Sequence, residues 1–247
     1  MSLLQMSLSG GAMILAAVLI RALALHRLPK RIFLAIWGLV LIRLLVPFSL
    51  PAECSIYSLL DRAAPRASAA AYSPPVPHAP LVWAGDAPAS PPAPGSAPFS
   101  IEPWGALWLA GLLACVLYFS AAYIKCRREF REALPVHNAY VEQWIGAHRL
   151  WRPIAVRQSD KITAPLTYGI LHPVILLPKS TDWMDTETLD YVLTHEWVHI
   201  RRFDGLFKLL LTAALCVLWF NPLVWAMVAL ASRDMELACD EAVLRLF

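Results

Sequence analysis

Long apolar runs divide the chain before any single residue does. Three are long enough to cross a bilayer, which takes about 20 apolar residues. They lie roughly at Leu3–Ala24, Ile32–Leu50 and Trp104–Ile124. No basic stretch precedes the first, so it reads as a retained anchor rather than a cleaved leader. A fourth run, Leu206 to Ser232, also passes by length. Between the third and fourth runs the pattern changes. "EALPVHNAYVEQWIGAHRL" has helical spacing, "RPIAVRQ" reads as a strand, and "PLTYGILHPVILLPK" reads as two strands joined near His172-Pro173. Helical spacing resumes at Thr186 with Asp185 as its N-cap, and Leu189, Leu193, Glu196, Ile200 and Phe203 share one face.

Charge orients these segments. Arg21, Arg27, Lys30 and Arg31 cluster around the connection between the first two runs, and Lys125, Arg127, Arg128 and Arg131 follow the third. The stretch between the second and third runs carries only Arg62 and Arg66. Lysine and arginine stay on the cytoplasmic side, so the N-terminus is expected outside and everything after Ile124 inside. From Arg62 to Ser100 the chain is rich in Pro, Ala and Ser, a composition that cannot bury a core, and an extended linker is expected there. Arg43 lies inside the second run, where a charge is either functional or snorkels or bonds a neighbouring helix.

Composition agrees with this reading. Of 247 residues 58% are hydrophobic and only 16% charged, with a mean hydropathy of +0.54, against roughly half and a quarter in a soluble domain. The net charge of +3 is not gathered into a nucleic-acid-binding cluster, so no direct nucleic-acid partner is expected. Cys54, Cys115, Cys126, Cys216 and Cys239 form neither a CxxC pair nor a disulfide framework and are read as unpaired.

The helix from Thr186 carries His195-Glu196-x-x-His199. Two histidines four apart project from one face one turn apart and can share a zinc ion, with Glu196 beside them to take a proton from attacking water. Asp204, five residues beyond His199, points about 140° away on a continuous helix and reads as a helix-end or supporting group rather than a ligand. Further on, "SRDMELACDEAVLRLF" sets Glu236 and Asp240 on one face of another predicted helix. Alone, that pattern also describes a solvated acidic face. With the upstream motif, Glu236 completes a two-His, one-Glu set and Asp240 can accept the spare N–H of a ligand histidine. This constrains the fold. A straight helix through Leu206–Ser232 would be about 40 Å long and would carry Glu236 across the bilayer from His195. The run must therefore fold back, and Asn221-Pro222 is the expected bend, giving a helical hairpin that dips into or lies on the inner membrane face.

Taken in order, "APLTYGILHPVILLPKS", "VLTHEWVHIRRFD", "LWFNPLVW" and "RDMELACDEAVL" resemble the BlaR/MecR-type membrane metalloprotease receptors over the whole chain, without the C-terminal penicillin-binding sensor domain. The resemblance implies a gluzincin-like zinc endopeptidase facing the cytoplasm. It makes His195 and His199 zinc ligands, Glu196 the catalytic base and Glu236 the third ligand. It also implies self-cleavage and promoted cleavage of a cytoplasmic transcriptional repressor, as in β-lactam-resistance regulation. The expected fold class is a mainly α membrane protein. Residues 1–51 hold two transmembrane helices, 52–103 an extracytoplasmic loop, 104–124 a third span and 125–247 an α+β cytoplasmic zinc protease domain with the hairpin. The expected partners are a protein substrate, including the chain itself, and membrane lipid. An exposed edge of the Leu166–Leu177 strands would hold substrate by strand addition, His172 or Tyr168 could face the oxyanion, and Arg201-Arg202 would attract an acidic substrate or, the favoured reading, the anionic lipid surface. Two rivals share the site: a quality-control protease of the Ste24/HtpX kind, and a non-catalytic transducer with structural zinc.

Overall fold

The computed structural model describes residues 3–25, 27–46 and 103–247. The expected loop at 52–103, apart from Pro103, lies outside the described residues. Three helices come first: α1 (Leu3–Ala24), α2 (Lys30–Leu45) and α3 (Pro103–Arg131). Among the described residues two of these, α1 over Ser7–Ala24 and α3, are long and apolar enough to cross a membrane. Of the second expected span, α2 accounts for 16 residues, and residues 47–50 of that run lie outside the described set. α3 continues past the apolar run through Lys125–Arg131, where local helix-forming residues carry it on beyond the hydrophobic stretch.

A small α+β unit follows. Strand β1 (Leu134–Pro135), helix α4 (Ala139–Ala147), β2 (Ala155–Ser159), β3 (Leu166–Tyr168) and β4 (Val174–Pro178) form a four-stranded sheet in the order β1-β2-β4-β3. β2 and β4 are parallel, with Val156 opposite Ile175, while β3 runs antiparallel to β4 with Thr167 opposite Ile175. The β3–β4 turn needs Gly169, whose φ of +88° would place a Cβ 2.4 Å from the His172 carbonyl. β1 was not foreseen, because two residues carry no readable alternation.

Helix α5 (Thr186–Arg202) lies against this sheet, and Asp185 caps it by accepting from the Thr188 N–H. Its buried Leu189, Leu193 and Ile200 join Val141, Trp144, Val156, Ile175 and Leu177 in one core. α6 (Asp204–Val217) and α7 (Pro222–Val243) are two helices broken at Asn221-Pro222. Asn221 accepts from the Leu223 N–H, and Pro222 occupies the first turn, where its missing donor costs nothing. A second core joins α1, α2, α6 and α7 through Ile14, Phe33, Trp37, Leu41, Leu215 and Met227. α3 has no buried residue. It touches this bundle where the Trp108 indole donates to the Val217 carbonyl at 2.9 Å and Gly111 leaves room for the Trp219 ring.

The cation paired within this bundle is Arg21; it and Arg43, in the last turn of α2, are both partly buried. Arg21 Nε donates to Asp234 Oδ1 and Oδ2 at 2.8 and 2.9 Å, and its Nη2 lies 2.8 Å from Oδ1. The Trp37 indole donates to Asp234 Oδ2 at 2.8 Å. Asp234 is 1% exposed, so α1, α2 and α7 meet on one carboxylate. Glu241 of α7 also accepts from the Lys30 N–H at 2.8 Å, capping the start of α2. Removing one partner of a buried pair strands the other charge, at about 3–5 kcal/mol. Asp234→Ala is expected to lose about that much in equilibrium unfolding in detergent. Arg21→Met with Asp234→Leu is expected to recover most of the loss, and equal destabilisation of both would count against this role.

Candidate metal centre

One face of α5 and one of α7 converge on a small triangle of donor atoms. His195 Nε2 and His199 Nε2 are 3.2 Å apart, and Glu236 Oε2 lies 3.2 Å from His199 Nε2 and 3.9 Å from His195 Nε2. Four-coordinate zinc with bonds of about 2.0–2.2 Å sets its ligands about 3.3–3.5 Å apart. The three atoms fit that spacing, and the other imidazole nitrogens face carboxylates. His199 Nδ1 is 2.7 Å from Asp204 Oδ2, and His195 Nδ1 is 3.5 Å from Asp240 Oδ1. A carboxylate behind each histidine fixes its ring and its tautomer.

Asp204 reaches His199 because α5 does not continue. Phe203 adopts a left-handed conformation (φ 59°, ψ 35°), its N–H closing α5 on the His199 and Ile200 carbonyls while α6 begins at the next residue. The 140° offset assumed an unbroken helix, and the break swings Asp204 back toward His199. A non-glycine residue in this conformation costs about 1–3 kcal/mol. Its ring is held under the Arg152 guanidinium, 3.8 Å from the centroid. Arg152 is itself buried and bonds the Ile170 and Ile200 carbonyls.

Glu196 is 7% exposed and faces the same cleft, where Thr167 Oγ1 of β3 donates to its Oε2 at 2.7 Å. This cleft, of about 270 Å³, takes in His195, Glu196, His199 and Glu236 with Leu166, Thr167 and Tyr168. His172 stands in the β3–β4 turn and does not line it. Thr167 went unnoticed in sequence because a strand threonine gives no signal of what it faces across the fold. Lys208 of α6 adds a contact to Glu236 Oε1 at 3.2 Å.

Cys239 also stands by the histidines, with its Sγ within 4.8 Å of a nitrogen of each. It is fully buried, and its thiol donates to the His195 carbonyl at 3.4 Å. Glu236 offers a third donor from the cleft side, with its Oε2 3.2 and 3.9 Å from the two Nε2 atoms, and Cys239 offers one from the buried side. Cys239 was legible only as a residue three after Glu236, on a flank of the same helix face.

The electrostatics bind these groups together. Burial alone would lower the His199 pKa. Asp204 foremost, with Cys239 and Glu236, outweighs it and pushes the value up to about 11. The His199 hydrogen bond, against the opposing effect of burial, draws Glu236 down to about 2. His195 is raised, first by its contact with Cys239 and against burial. Burial pushes the Cys239 thiol up, and the two imidazoles more than reverse it.

A family model described as BlaR1 peptidase M56 matches residues 1–247. The chain belongs to the BlaR1 peptidase M56 family. The regulatory protein BlaR1 of Bacillus licheniformis is 31% identical over 148 residues, covering 57% of this chain and 24% of that protein. The methicillin resistance mecR1 protein of Staphylococcus aureus is 23% identical over 146 residues, 57% of this chain and 25% of that protein. The chain thus spans about a quarter of the length of these curated relatives. Membership in this M56 family implies a metal, and the His195, His199 and Glu236 donors fit one.

Two outcomes follow from the supporting carboxylates and the shared proton. Asp204→Asn is expected to weaken metal binding about 10–100-fold by chelator competition, and Asp240→Asn less, since its contact is longer. In the metal-free protein His199 holds a proton up to about pH 11, so a metal must displace it. Affinity should therefore rise about tenfold per pH unit from pH 6.5 to 8.5. Titration calorimetry in buffers of different ionisation enthalpy should show at least one proton released; a flat pH profile would contradict the assignment.

Proposed function

We propose that this chain is a zinc metalloendopeptidase on the cytoplasmic face of a membrane, acting in signal transduction by cleaving itself, a transcriptional repressor, or both. The observation that carries the proposal is the triangle of His195, His199 and Glu236, with Glu196 held beside it in a cleft bordered by a sheet edge. The relatives' names, a regulatory protein and a methicillin resistance protein, support a regulatory task over quality control. The apolar α1 and α3, with basic residues at their ends, support a membrane location.

Each group has a definable task. When bound, zinc supplies Lewis acidity where the three donors converge. Glu196 takes the proton of the attacking water and passes it to the leaving amine. Thr167 occupies Oε2 of that carboxylate and leaves Oε1 for the water. β3 is an edge strand bordering the cleft, so an extended substrate can pair with it and bring its carbonyl to the metal. Of the two residues considered for the oxyanion, Tyr168 lines the cleft.

Cys239 favours one second reading. Added to the other three donors, it would close the site into a structural one and leave a non-catalytic transducer. Glu196→Gln separates the two. It is expected to keep the metal while self-cleavage in membranes, followed by gel mobility of the full chain, falls about 10²–10⁴-fold. Cleavage at the parental rate would sink the mechanism, and signalling that persists without cleavage would favour the transducer.

A further inference from the structure

A second cavity, of about 560 Å³, opens on the other side of Asp204 from the metal cleft. It lies among the start of α2, the end of α5, the start of α6 and the end of α7. Four guanidinium groups from three of these segments line it: Arg31, Arg201, Arg202 and Arg245. Asp204 is the lining carboxylate, and it is already engaged by His199. Two of the cations have partners of their own, since Arg245 pairs with Glu241 and Arg201 lies over the Trp197 ring at 5.2 Å. Arg202 is left short. Its Nε is 3.4 Å from Asp204, but Nη1 and Nη2 are both buried without a hydrogen-bond partner. Buried donors of a charged group without acceptors are costly, and the guanidinium fork matches phosphate oxygens in geometry and charge. The remaining wall is apolar, with Leu34 and Phe207 prominent. The cavity therefore joins a cluster of phosphate-type donors to a surface suited to hydrocarbon.

We propose that this cavity binds an anionic phospholipid, its phosphate on Arg31 and Arg245 over the buried charge of Arg202, and its glycerol and upper acyl chain along Leu34 and Phe207. The inference rests on the reading of the chain as a membrane protein. On that reading Arg31, in the first turn after the short basic connection from α1, sits at headgroup depth. A free phosphate would satisfy the arginines but leave the apolar wall bare.

The test uses the full chain in detergent, with native mass spectrometry of retained lipid and titration by phosphatidylglycerol, phosphatidylcholine or inorganic phosphate. The parental chain is expected to hold one phosphatidylglycerol at least tenfold more tightly than phosphatidylcholine. Arg31→Gln with Arg245→Gln should lose that preference at least tenfold. Ala35→Trp, which fills the cavity without changing charge, should do the same. Arg127→Gln with Arg128→Gln, which removes basic charge from the end of α3, should change it less than twofold. Equal affinity for the two lipids, equal effects of all three variants, or displacement by millimolar inorganic phosphate would each overturn the proposal. Flotation with phosphatidylcholine vesicles tests the membrane reading separately. A chain that floats without lipid preference refutes only the lipid site, and one that fails to float refutes both.

Discussion

Asp234 and Glu236 are two residues apart on α7 and are held by opposite neighbours. Asp234 is bound by Arg21 of α1 and Trp37 of α2. Glu236 faces His195 and His199 of α5. At about 100° per residue the two carboxylates point about 200° apart. One helix is thereby fixed in rotation from both sides, by an ion pair and by the contacts with the two histidines. Turning α7 to shorten one set of contacts lengthens the other, so the apolar bundle and the metal centre hold a common alignment.

The supporting shell follows from small departures from regular structure. The left-handed Phe203 ends α5 and starts α6 without a connecting loop, and that abruptness aims Asp204 at His199. Arg152 pays for the strain by covering the Phe203 ring while bonding two carbonyls. Asp204 then stands as the wall between the metal cleft and the arginine-lined cavity. Its two oxygens divide between His199 and Arg202.

Much of this was legible in the sequence where spacing carries geometry. His195 and His199 four apart, the Asp185 cap and the Asn221-Pro222 break all rest on local rules, and the structure has each of these helix boundaries. The need for Glu236 to reach His195 also required the long apolar run to fold back. Long-range partners were not legible. Nothing local links Arg21 to Asp234, 213 positions away, or Thr167 to Glu196. The direction of Asp204 was misjudged for a different reason: a phenylalanine gives no warning of a positive φ, as a glycine would. Hydropathy also does not distinguish a residue facing lipid from one packed on another helix. In α2, Phe33, Trp37, Val40, Leu41 and Leu44 face inward.

The edge strand beside the cleft is only three residues long. So short an edge can make few backbone hydrogen bonds and read few side chains, and its contribution to affinity is correspondingly small. On the proteolytic reading, discrimination among targets then falls to proximity. A segment tethered to the same chain, or confined to the same membrane surface, meets the cleft at a high effective concentration. A free peptide of identical sequence would be a poor substrate.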